Sequence, residues 1–409
     1  MVHVFRYQKF RSWIVWMLLV SCGTMVIQMY NRPHLVRTFH THLKKLSERR
    51  IVIEPDCECA SVHDFCYRLP ENSTIKGKRF SCKHLALLKE LGLIEYDENT
   101  LVDFNNKQMP DSVFVTAFSD NHYHEGVRLI QSIRKLFRNK KIVLYDLGLH
   151  RHLHKFKNAC NLEIRRLNST KYGDAVSALH HYRWKPLVIA ETLQEFGAVF
   201  YMDSSVVLEK NDLNHVYDLI RCRSKIPSKN VVSSSELRDE REAAQPLEDG
   251  WNKTVWMQNL NECQKADYLL HSFASHGIFA ATAAALYDFF PTNFDEIRKP
   301  KAKMYEAGFA LVVRTKEVID SVLKWYVLCA LEDDCMAPLG ANLHCMFHSD
   351  RYGRYAGCHR YDQSVINLIL ANKYWYDRHF YSSEIVDFFR IVRGGSPIQL
   401  GQNAFACSR

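Results

Sequence analysis

The apolar run from Ala198 to Met202 is the feature of this chain that most restricts its fold. Uninterrupted apolar residues rich in β-formers are typical of a strand buried on both faces, as in a parallel sheet covered by helices. Asp203 follows the run directly, and ligands of open α/β sheets bind at the carboxyl ends of the strands. The run therefore predicts a central strand with Asp203 at the ligand edge, unless this aspartate only caps a turn.

Helices and further strands are predicted in the segment that precedes this run. Pro186 and Gly197 lie where proline favours the start of a helix and glycine its end. The predicted elements are a strand over 111–118, a helix over 119–137, a strand and turn over 141–149, and a helix over 184–196. This alternation predicts an α/β fold with a mostly parallel, doubly wound sheet flanked by helices.

The second half of the chain continues the pattern less regularly. Residues 224–262 are polar and charged, which predicts an excursion over the surface rather than an element of the sheet. A strand is predicted over 306–313, entered through Gly308, and it is followed by a core-facing helix in which Trp325 packs. Asp362 begins a later helix with apolar residues on its inner face.

The first 50 residues carry nine lysines and arginines against one glutamate, so +8 of the net charge of +9 lies there. A nucleic-acid-binding face is therefore not expected on the rest of the chain. Within this basic segment, Trp13–Tyr30 is uncharged over 18 residues, which predicts a membrane-spanning helix. We predict a cytosolic tail over 1–12, a type II signal anchor over 13–30 and a stem over 31–56. A cleaved signal peptide is the alternative.

The cysteines favour a lumenal body. Twelve of the thirteen follow the predicted anchor, and such usage in a translocated domain predicts disulfide bonds. We predict a disulfide-tied subdomain over 57–110 and a catalytic domain over 111–409. A zinc site formed by Cys57 and its neighbouring cysteines is the alternative, although Cys-x-Cys does not match the usual ligand spacing. The short span favours the thinner membranes of the Golgi or endoplasmic reticulum. Asn72, Asn168 and Asn252 begin glycosylation acceptor motifs.

The order of these segments resembles the nucleotide-sugar half of a GT-A-fold glycosyltransferase. The resemblance is carried by Val113–Thr116, Tyr145–Leu149, the Trp184-Lys185-Pro186 helix start and the strand ending at Asp203. More closely, the chain resembles the type II, glycosyltransferase-like families expanded in nematodes, which are distantly similar to retaining family-eight enzymes. The resemblance covers about residues 110–400. It implies transfer of a hexose from a nucleotide sugar, such as a UDP-sugar, to a hydroxyl of a glycan, protein or lipid acceptor.

The resemblance also implies a divalent cation. Such families place an Asp-x-Asp motif at this strand end, where it holds Mn²⁺ or Mg²⁺ against the donor diphosphate. This chain reads Asp203-Ser204-Ser205, so a hydroxyl replaces the second carboxylate. The implied ligands are Asp203, with Ser205 reaching the metal or the ribose, and His348 or His359 as a third ligand. Metal-independent chemistry is the alternative.

Four more residues are candidates for the site. The resemblance implies that Asp362 faces the acceptor and supplies a catalytic base, and that Glu306 acts in acid–base chemistry or contacts a sugar hydroxyl. Gly308 lies in the segment expected beneath the donor sugar, and Lys185 is a candidate for neutralising phosphate. Each residue also has a structural explanation; a carboxylate such as Asp362, for example, is favoured in the first turn of any helix.

Two other functional classes are alternatives to the transferase. A non-catalytic, sugar-binding relative of the glycosyltransferases fits the loss of the second Asp-x-Asp carboxylate. A lumenal sulfotransferase would need a glycine- and lysine-containing phosphate loop after its first strand, and Thr116–Asp120 contains neither residue. Signature motifs of serine hydrolases, HExxH metalloproteases, Walker ATPases and GxGxxG dehydrogenases are absent from the sequence.

Overall fold

The structure is a computed structural model that describes residues 56–104, 109–222, 251, 253–262, 266–394 and 405. The predicted cytosolic tail, the anchor and nearly all of the stem lie outside these residues. In the described part of the chain, no helix has the length and apolar character needed to cross a bilayer. Residues Asp56–Arg409 belong to one compact unit, which therefore contains both the predicted subdomain and the predicted catalytic domain.

The regular elements of this unit have the following bounds. The strands are β1 (Glu58–Cys59), β2 (His63–Asp64), β3 (Arg68–Leu69), β4 (Asn72–Lys76), β5 (Val113–Phe118), β6 (Ile142–Asp146), β7 (Leu162–Arg166), β8 (Ala198–Met202), β9 (Val206–Leu208), β10 (Tyr268–Leu270), β11 (Phe273–Gly277), β12 (Lys303–Tyr305), β13 (Phe309–Val313) and β14 (Phe389–Ile391). The α-helices are Leu85–Glu90, Tyr123–Leu136, Ser169–Tyr172, Trp184–Phe196, Asn214–Arg221, Lys253–Glu262, Leu286–Phe289, Phe294–Ile297, Lys316–Val318, Lys324–Leu331 and Asp362–Lys373. A π-helical turn, Ile319–Leu323, connects two of them.

The central sheet is mixed and mostly parallel. Its strand order is β10-β13-β8-β5-β6-β7. Strand β5 pairs in parallel with both β6 and β8, and β6 pairs in parallel with β7. Strand β13 runs antiparallel to β8 and β10, so it is the reversed strand of this sheet. The predicted α/β class with a mostly parallel sheet is confirmed, and the strand predicted over 306–313 enters the sheet in the opposite direction.

The alternating directions of the side chains along β8 show which helix covers each face of the sheet. Val199 and Tyr201 pack in the same core cluster as Leu187 and Leu193 of the helix Trp184–Phe196. Phe200 and Met202 belong to a second cluster that contains Val127 and Ile130 of the helix Tyr123–Leu136. Because successive side chains of a strand point to opposite faces, these two helices cover opposite faces of the sheet. The strand is completely buried, as its uninterrupted apolar sequence predicts.

The turn before β8 and the register between β8 and β13 determine which residues lie at the predicted ligand-binding edge of the sheet. Gly197 adopts a φ of 73°, which favours glycine, and its N–H donates to the carbonyl of Leu193 at the helix end. The chain then reverses into β8. In the antiparallel register Met202 lies opposite Phe309. Asp203, at the end of β8, is therefore beside Gly308, at the beginning of β13.

The described residues of the segment 57–110 pack into the same core as the sheet. The disulfides Cys57–Cys66 and Cys59–Cys82 close this segment, so the zinc alternative is wrong for these cysteines. Its aromatic rings pack on the body of the fold: Tyr67 and Phe80 both contact Phe290 and Trp325. Trp325 is therefore a packing residue, as predicted. Further along the chain, Cys329–Cys335 and Cys345–Cys358 are bonded, and Cys160 is also disulfide-bonded.

The segment predicted as a surface excursion, residues 224–262, lies partly outside the described residues. Its described end forms the helix Lys253–Glu262, an element that was not predicted from the sequence and that is not part of the sheet. The indole N–H of Trp256 donates to the carbonyl of His215 at 2.8 Å, which fixes this helix on the helix Asn214–Arg221. A tertiary contact of this kind leaves no periodic signal in a polar sequence.

Candidate active site

A cavity of about 700 Å³ opens at the carboxyl ends of β5 and β8. This is the edge at which ligands bind in open α/β sheets. Six of the eight residues predicted for the site line the cavity, and they come from four separate parts of the chain. They are Lys185, Asp203, Ser205, Glu306, Gly308 and Asp362.

Lys185 lies between two carboxylates. Its Nζ is 2.6 Å from Oδ2 of Asp362 and 3.2 Å from Oδ1 of Asp203, and it is 3.3 Å from the second oxygen of Asp203. Lys185 comes from the first turn of the helix Trp184–Phe196, Asp203 from the end of β8, and Asp362 from the first residue of the helix Asp362–Lys373. The lysine is 2% exposed. Its ammonium group is therefore almost without hydration, and the two carboxylates have to stabilise its charge instead.

Burial and charge act against each other in this cluster. Burial favours the neutral amine of Lys185, but the two carboxylates outweigh it and raise the pKa of this lysine above its ordinary value. Burial raises the pKa of the Asp362 carboxyl, and the negative charge of Asp203 adds to this effect, whereas Lys185 opposes it. The lysine is therefore a fixed cation, and Asp362 is a carboxylate that depends on it.

Two neighbours hold Asp203 in place, one through its carboxylate and one through its backbone. The hydroxyl of Tyr201 donates to Oδ1 of Asp203 at 2.6 Å. The backbone N–H of Asp203 donates to the carbonyl of Gly308 at 2.7 Å. A Cβ at Gly308 would lie 2.6 Å from Oδ2 of Asp203, so this position requires a glycine while the carboxylate keeps its place. Sequence reasoning missed Tyr201, although a tyrosine two residues before Asp203 on the same strand was a usable signal.

Glu125 is a buried carboxylate of the cavity wall that sequence reasoning also missed. It accepts hydrogen bonds from the N–H of Gly394 at 2.6 Å and from the hydroxyl of Ser204 at 3.2 Å, and its Oε2 lies 2.7 Å from Nδ1 of His122. Burial raises the pKa of Glu125, but the contacts with Gly394 and His122 outweigh it and lower the pKa. The same network holds Ser204 in place. A glutamate in the first turn of a helix is so common that its sequence gave no signal.

The remaining charged side chains of the wall differ in how they are paired. Glu306 lies 3.4 Å from the guanidinium of Arg393, and its side chain is 27% exposed, against 7% for Asp362. Arg360 also lines the cavity, and no carboxylate among the described residues forms an ion pair with it. The amide nitrogen of Gln363 is buried at the cavity wall without a hydrogen-bond partner. Arg360 and Gln363 therefore offer donors to a ligand.

The two histidines predicted as metal ligands are not brought to this cluster. His359 is completely buried; its Nδ1 accepts from the N–H of Ala283 at 3.2 Å, and its Nε2 donates to the carbonyl of Met336 at 3.1 Å. Burial lowers the pKa of His359 to about 4. His348 is exposed, and neither histidine lines the cavity. The prediction for His359 does not fit this structure, because both of its ring nitrogens are used within the fold.

The residues of the cavity do not form the ligand set that a divalent cation of this kind would need. Magnesium and manganese prefer several oxygen ligands. Asp203 is already engaged by Tyr201 and Lys185, and Ser205 stands where the second carboxylate would be. Across the described residues, one group of three ligand-type side chains converges, Cys57, Asp64 and Cys66, and its two cysteines are bonded to each other. The cation implied by the sequence resemblance therefore does not fit.

A family model described as a protein of unknown function, DUF1647, matches residues 57–190. No curated protein sequence matches the chain. The matched segment includes the disulfide-tied residues, strands β5 to β7 and the first half of the helix that carries Lys185, but it ends before Asp203.

Several solved glycosyltransferase structures are similar at low identity. The bifunctional glycosyltransferase WbbM is 13% identical with a TM-score of 0.33, and the match covers 66% of this chain and 38% of WbbM. The galactosyltransferase LgtC is 11% identical with a TM-score of 0.29, over 66% of this chain and 72% of LgtC. Core-mannan synthase A from Aspergillus fumigatus is 8% identical with a TM-score of 0.32, over 78% of this chain and 85% of the synthase. This chain thus spans well under half of WbbM.

Proposed function

We propose that this protein is a glycosyltransferase that moves a hexosyl group from a nucleotide sugar, of the UDP-sugar type, to a hydroxyl group. The observation that carries the proposal is the convergence of Lys185, Asp203 and Asp362 in a cavity at the carboxyl ends of the sheet strands. A cavity of about 700 Å³ falls in the size range of sites that enclose small organic ligands. Charged groups of both signs in it suit a donor that carries an anionic diphosphate and a sugar rich in hydroxyls.

The chemistry requires one proton transfer and one leaving group. The acceptor hydroxyl oxygen forms a bond to the anomeric carbon and gives up its proton, while the bond from that carbon to the diphosphate oxygen breaks and its electron pair leaves with the nucleoside diphosphate. The side chain of Glu306 is 27% exposed, against 7% for Asp362, so of these two candidate bases we assign the proton to Glu306. Asp362 is buried against Lys185, and we assign it the task of holding this lysine and the donor sugar in place.

The cellular setting belongs to the same proposal. We place the protein in the Golgi or endoplasmic reticulum membrane as a type II protein with a lumenal catalytic domain, acting on a glycan, protein or lipid. The disulfides Cys57–Cys66, Cys59–Cys82, Cys329–Cys335 and Cys345–Cys358 support an oxidising compartment. Kinship with the glycosyltransferase-like families expanded in nematodes is part of the proposal as well.

A second candidate function is favoured by one observation. Ser205 replaces the second carboxylate of the motif, so the described residues of the cavity include no converging set of metal ligands. A sugar-binding relative without catalytic activity would retain the cavity and its hydrogen-bonding groups while losing that set. Such a protein would bind a nucleotide sugar or a glycan and would release no nucleoside diphosphate.

The test is donor binding followed by turnover. The full-length chain, purified in detergent, is titrated with a panel of nucleotide sugars by calorimetry, and release of nucleoside diphosphate is then followed with the best binder. We expect binding that is weakened at least tenfold by Asp203→Leu, because this change removes the acceptor oxygens that the proposal assigns to the hydroxyls of the donor. Asp334→Leu, at an exposed aspartate outside the cavity, should leave binding unchanged. Binding without release of nucleoside diphosphate, across a panel of acceptors, favours the sugar-binding relative. A folded protein that binds no nucleotide sugar contradicts both.

A further inference from the structure

We propose that Arg360 supplies the positive charge at the donor diphosphate in place of a divalent cation, while Lys185 neutralises the Asp203 carboxylate that would otherwise hold that cation. This inference rests on the proposed nucleotide-sugar site. It divides the work of the cation in two: Lys185 neutralises the carboxylate of Asp203, and Arg360 binds the diphosphate. Three features of the described residues support it.

The first feature is the position of the lysine relative to Asp203. Its Nζ is 3.2 Å from one carboxylate oxygen of Asp203 and 3.3 Å from the other. An ammonium nearly equidistant from both oxygens lies at the edge of the carboxylate that a chelated cation would use. Because Lys185 is also held by Asp362 at 2.6 Å and is 2% exposed, it cannot swing aside into solvent.

The second feature is that the other carboxylates of the wall are engaged within the fold. Glu125 is held by Gly394, Ser204 and His122. Glu306 pairs with Arg393 at 3.4 Å. With Asp203 and Asp362 held by Lys185, each acidic side chain of the cavity wall already has a partner from the chain itself. An incoming metal ion would have to displace one of these partners.

The third feature is the unpaired cation. Arg360 lines the cavity, and its guanidinium forms no ion pair with a carboxylate of the described residues. The amide nitrogen of Gln363, three residues further on, is buried at the same wall and has no hydrogen-bond partner among the described residues. A guanidinium binds phosphate oxygens through two parallel hydrogen bonds. Together these donors suit the diphosphate, and they come from the same helix start that carries Asp362.

This arrangement accounts for the charge that develops in the reaction. As the bond between the anomeric carbon and the diphosphate oxygen breaks, the electron pair and one additional negative charge go to the departing nucleoside diphosphate. A guanidinium fixed beside that oxygen stabilises the charge as it develops. The proton of the acceptor hydroxyl goes to Glu306 as described, so no redox step or further reactant is needed.

The experiment measures binding of UDP and GDP, the nucleoside diphosphates used as probes, to the full-length chain with excess EDTA and with Mn²⁺. We expect the better probe to bind in EDTA with a Kd within about threefold of its value in Mn²⁺. Arg360→Gln should weaken this binding at least tenfold, the size of a lost charge-assisted pair. Arg354→Gln is the matched control, because this exposed arginine lies six residues earlier and does not line the cavity.

A second measurement tests the role of Lys185 through a gain of Mn²⁺ binding rather than a loss of nucleotide binding. Lys185→Met vacates the chelating edge of Asp203, so we expect this variant, with the nucleotide present, to bind Mn²⁺ detectably by paramagnetic resonance, whereas the native protein does not. Binding of the nucleotide only when Mn²⁺ is present overturns this inference and leaves the proposed function standing. Equal binding by Arg360→Gln and the native protein removes Arg360 from the site. Failure of both probes to bind a folded protein, with or without metal, overturns the inference and counts against the proposed function as well.

Discussion

The ammonium of Lys185 lies 2.6 Å from Oδ2 of Asp362, and both side chains are almost completely buried. The two residues are far apart in the sequence and each opens a helix, so their contact ties two helix starts together at the end of the central sheet. Buried ion pairs contribute modestly to stability while intact, but removing one partner leaves an uncompensated charge in the interior. Function and folding are therefore coupled at this pair.

Asp362→Asn is expected to destabilise the protein by about 3 kcal/mol, because Lys185 would keep only Asp203 as a charged partner. The measurement is urea denaturation followed by circular dichroism. In the double variant Lys185→Met/Asp362→Leu the buried charge is removed along with its partner, so we expect a smaller loss than for Asp362→Asn. If the single variant is as stable as the native protein, the pair is not buried in the way described.

Gly308→Ala is expected to displace the carboxylate of Asp203, since the new Cβ would lie 2.6 Å from Oδ2. Overpacking of this kind costs about 1–3 kcal/mol, and donor binding should weaken at least tenfold. In an Asp203→Ala background the clash disappears, so Gly308→Ala should then change the free energy of unfolding by less than about 1 kcal/mol. Equal effects in both backgrounds would show that the glycine has another purpose.

The central elements could be predicted because they are local. The uninterrupted apolar run of β8, with proline and glycine bounding the preceding helix, gives the strand, the helix and the position of Asp203 from neighbouring residues alone. The reversal of β13 could not be predicted, because strand direction depends on a connection whose path is set by packing. Helix Lys253–Glu262 was missed for the same reason, since its anchor is the contact of Trp256 with His215.

The candidate site was predicted where one side chain marks an element end, and missed where function depends on distant pairing. Lys185, Asp203 and Asp362 each stand at such an end, but their mutual contact is not encoded by any spacing in the sequence. The family resemblance implied His359 as a metal ligand, but in the structure its ring is held by the backbone of Ala283 and Met336. Arg360, the adjacent residue, faces the cavity instead.

Acid is expected to destabilise the protein partly through His359. Burial lowers its pKa to about 4 from the ordinary 6.5, so the unfolded chain binds a proton more readily than the folded one. The stability from the neutral ring is fully present above pH 6.5 and is lost as the pH falls toward 4; at most, roughly 3 kcal/mol depends on it. We expect His359→Gln to show a shallower fall in unfolding free energy between pH 7 and pH 5. An unchanged slope would contradict the assignment.

Glycosylation is expected at Asn72 and Asn168 if the body is lumenal. Both side chains are exposed, and in each motif the threonine two residues on donates to Oδ1 of the asparagine, at 2.7 Å and 2.6 Å. Expression in animal cells should give a protein that loses mass on treatment with a glycan-releasing amidase. Asn72→Gln and Asn168→Gln should each reduce this loss of mass by the mass of one glycan. An unglycosylated product would count against the lumenal assignment.

Glu306→Ala is expected to lower kcat at least 100-fold with KM changed less than about threefold, because a general base contributes about 10²–10⁴-fold to such a step. The decisive measurement is rescue: the side chain of Glu306 is 27% exposed at the cavity, so added formate can reach the vacated position and restore part of the rate. Asp362→Ala provides the comparison, since its site is 7% exposed and closed by Lys185, and formate should not restore it. Rescue of Asp362→Ala but not of Glu306→Ala would reverse the two assignments, and the proton would then pass to the buried carboxylate beside Lys185.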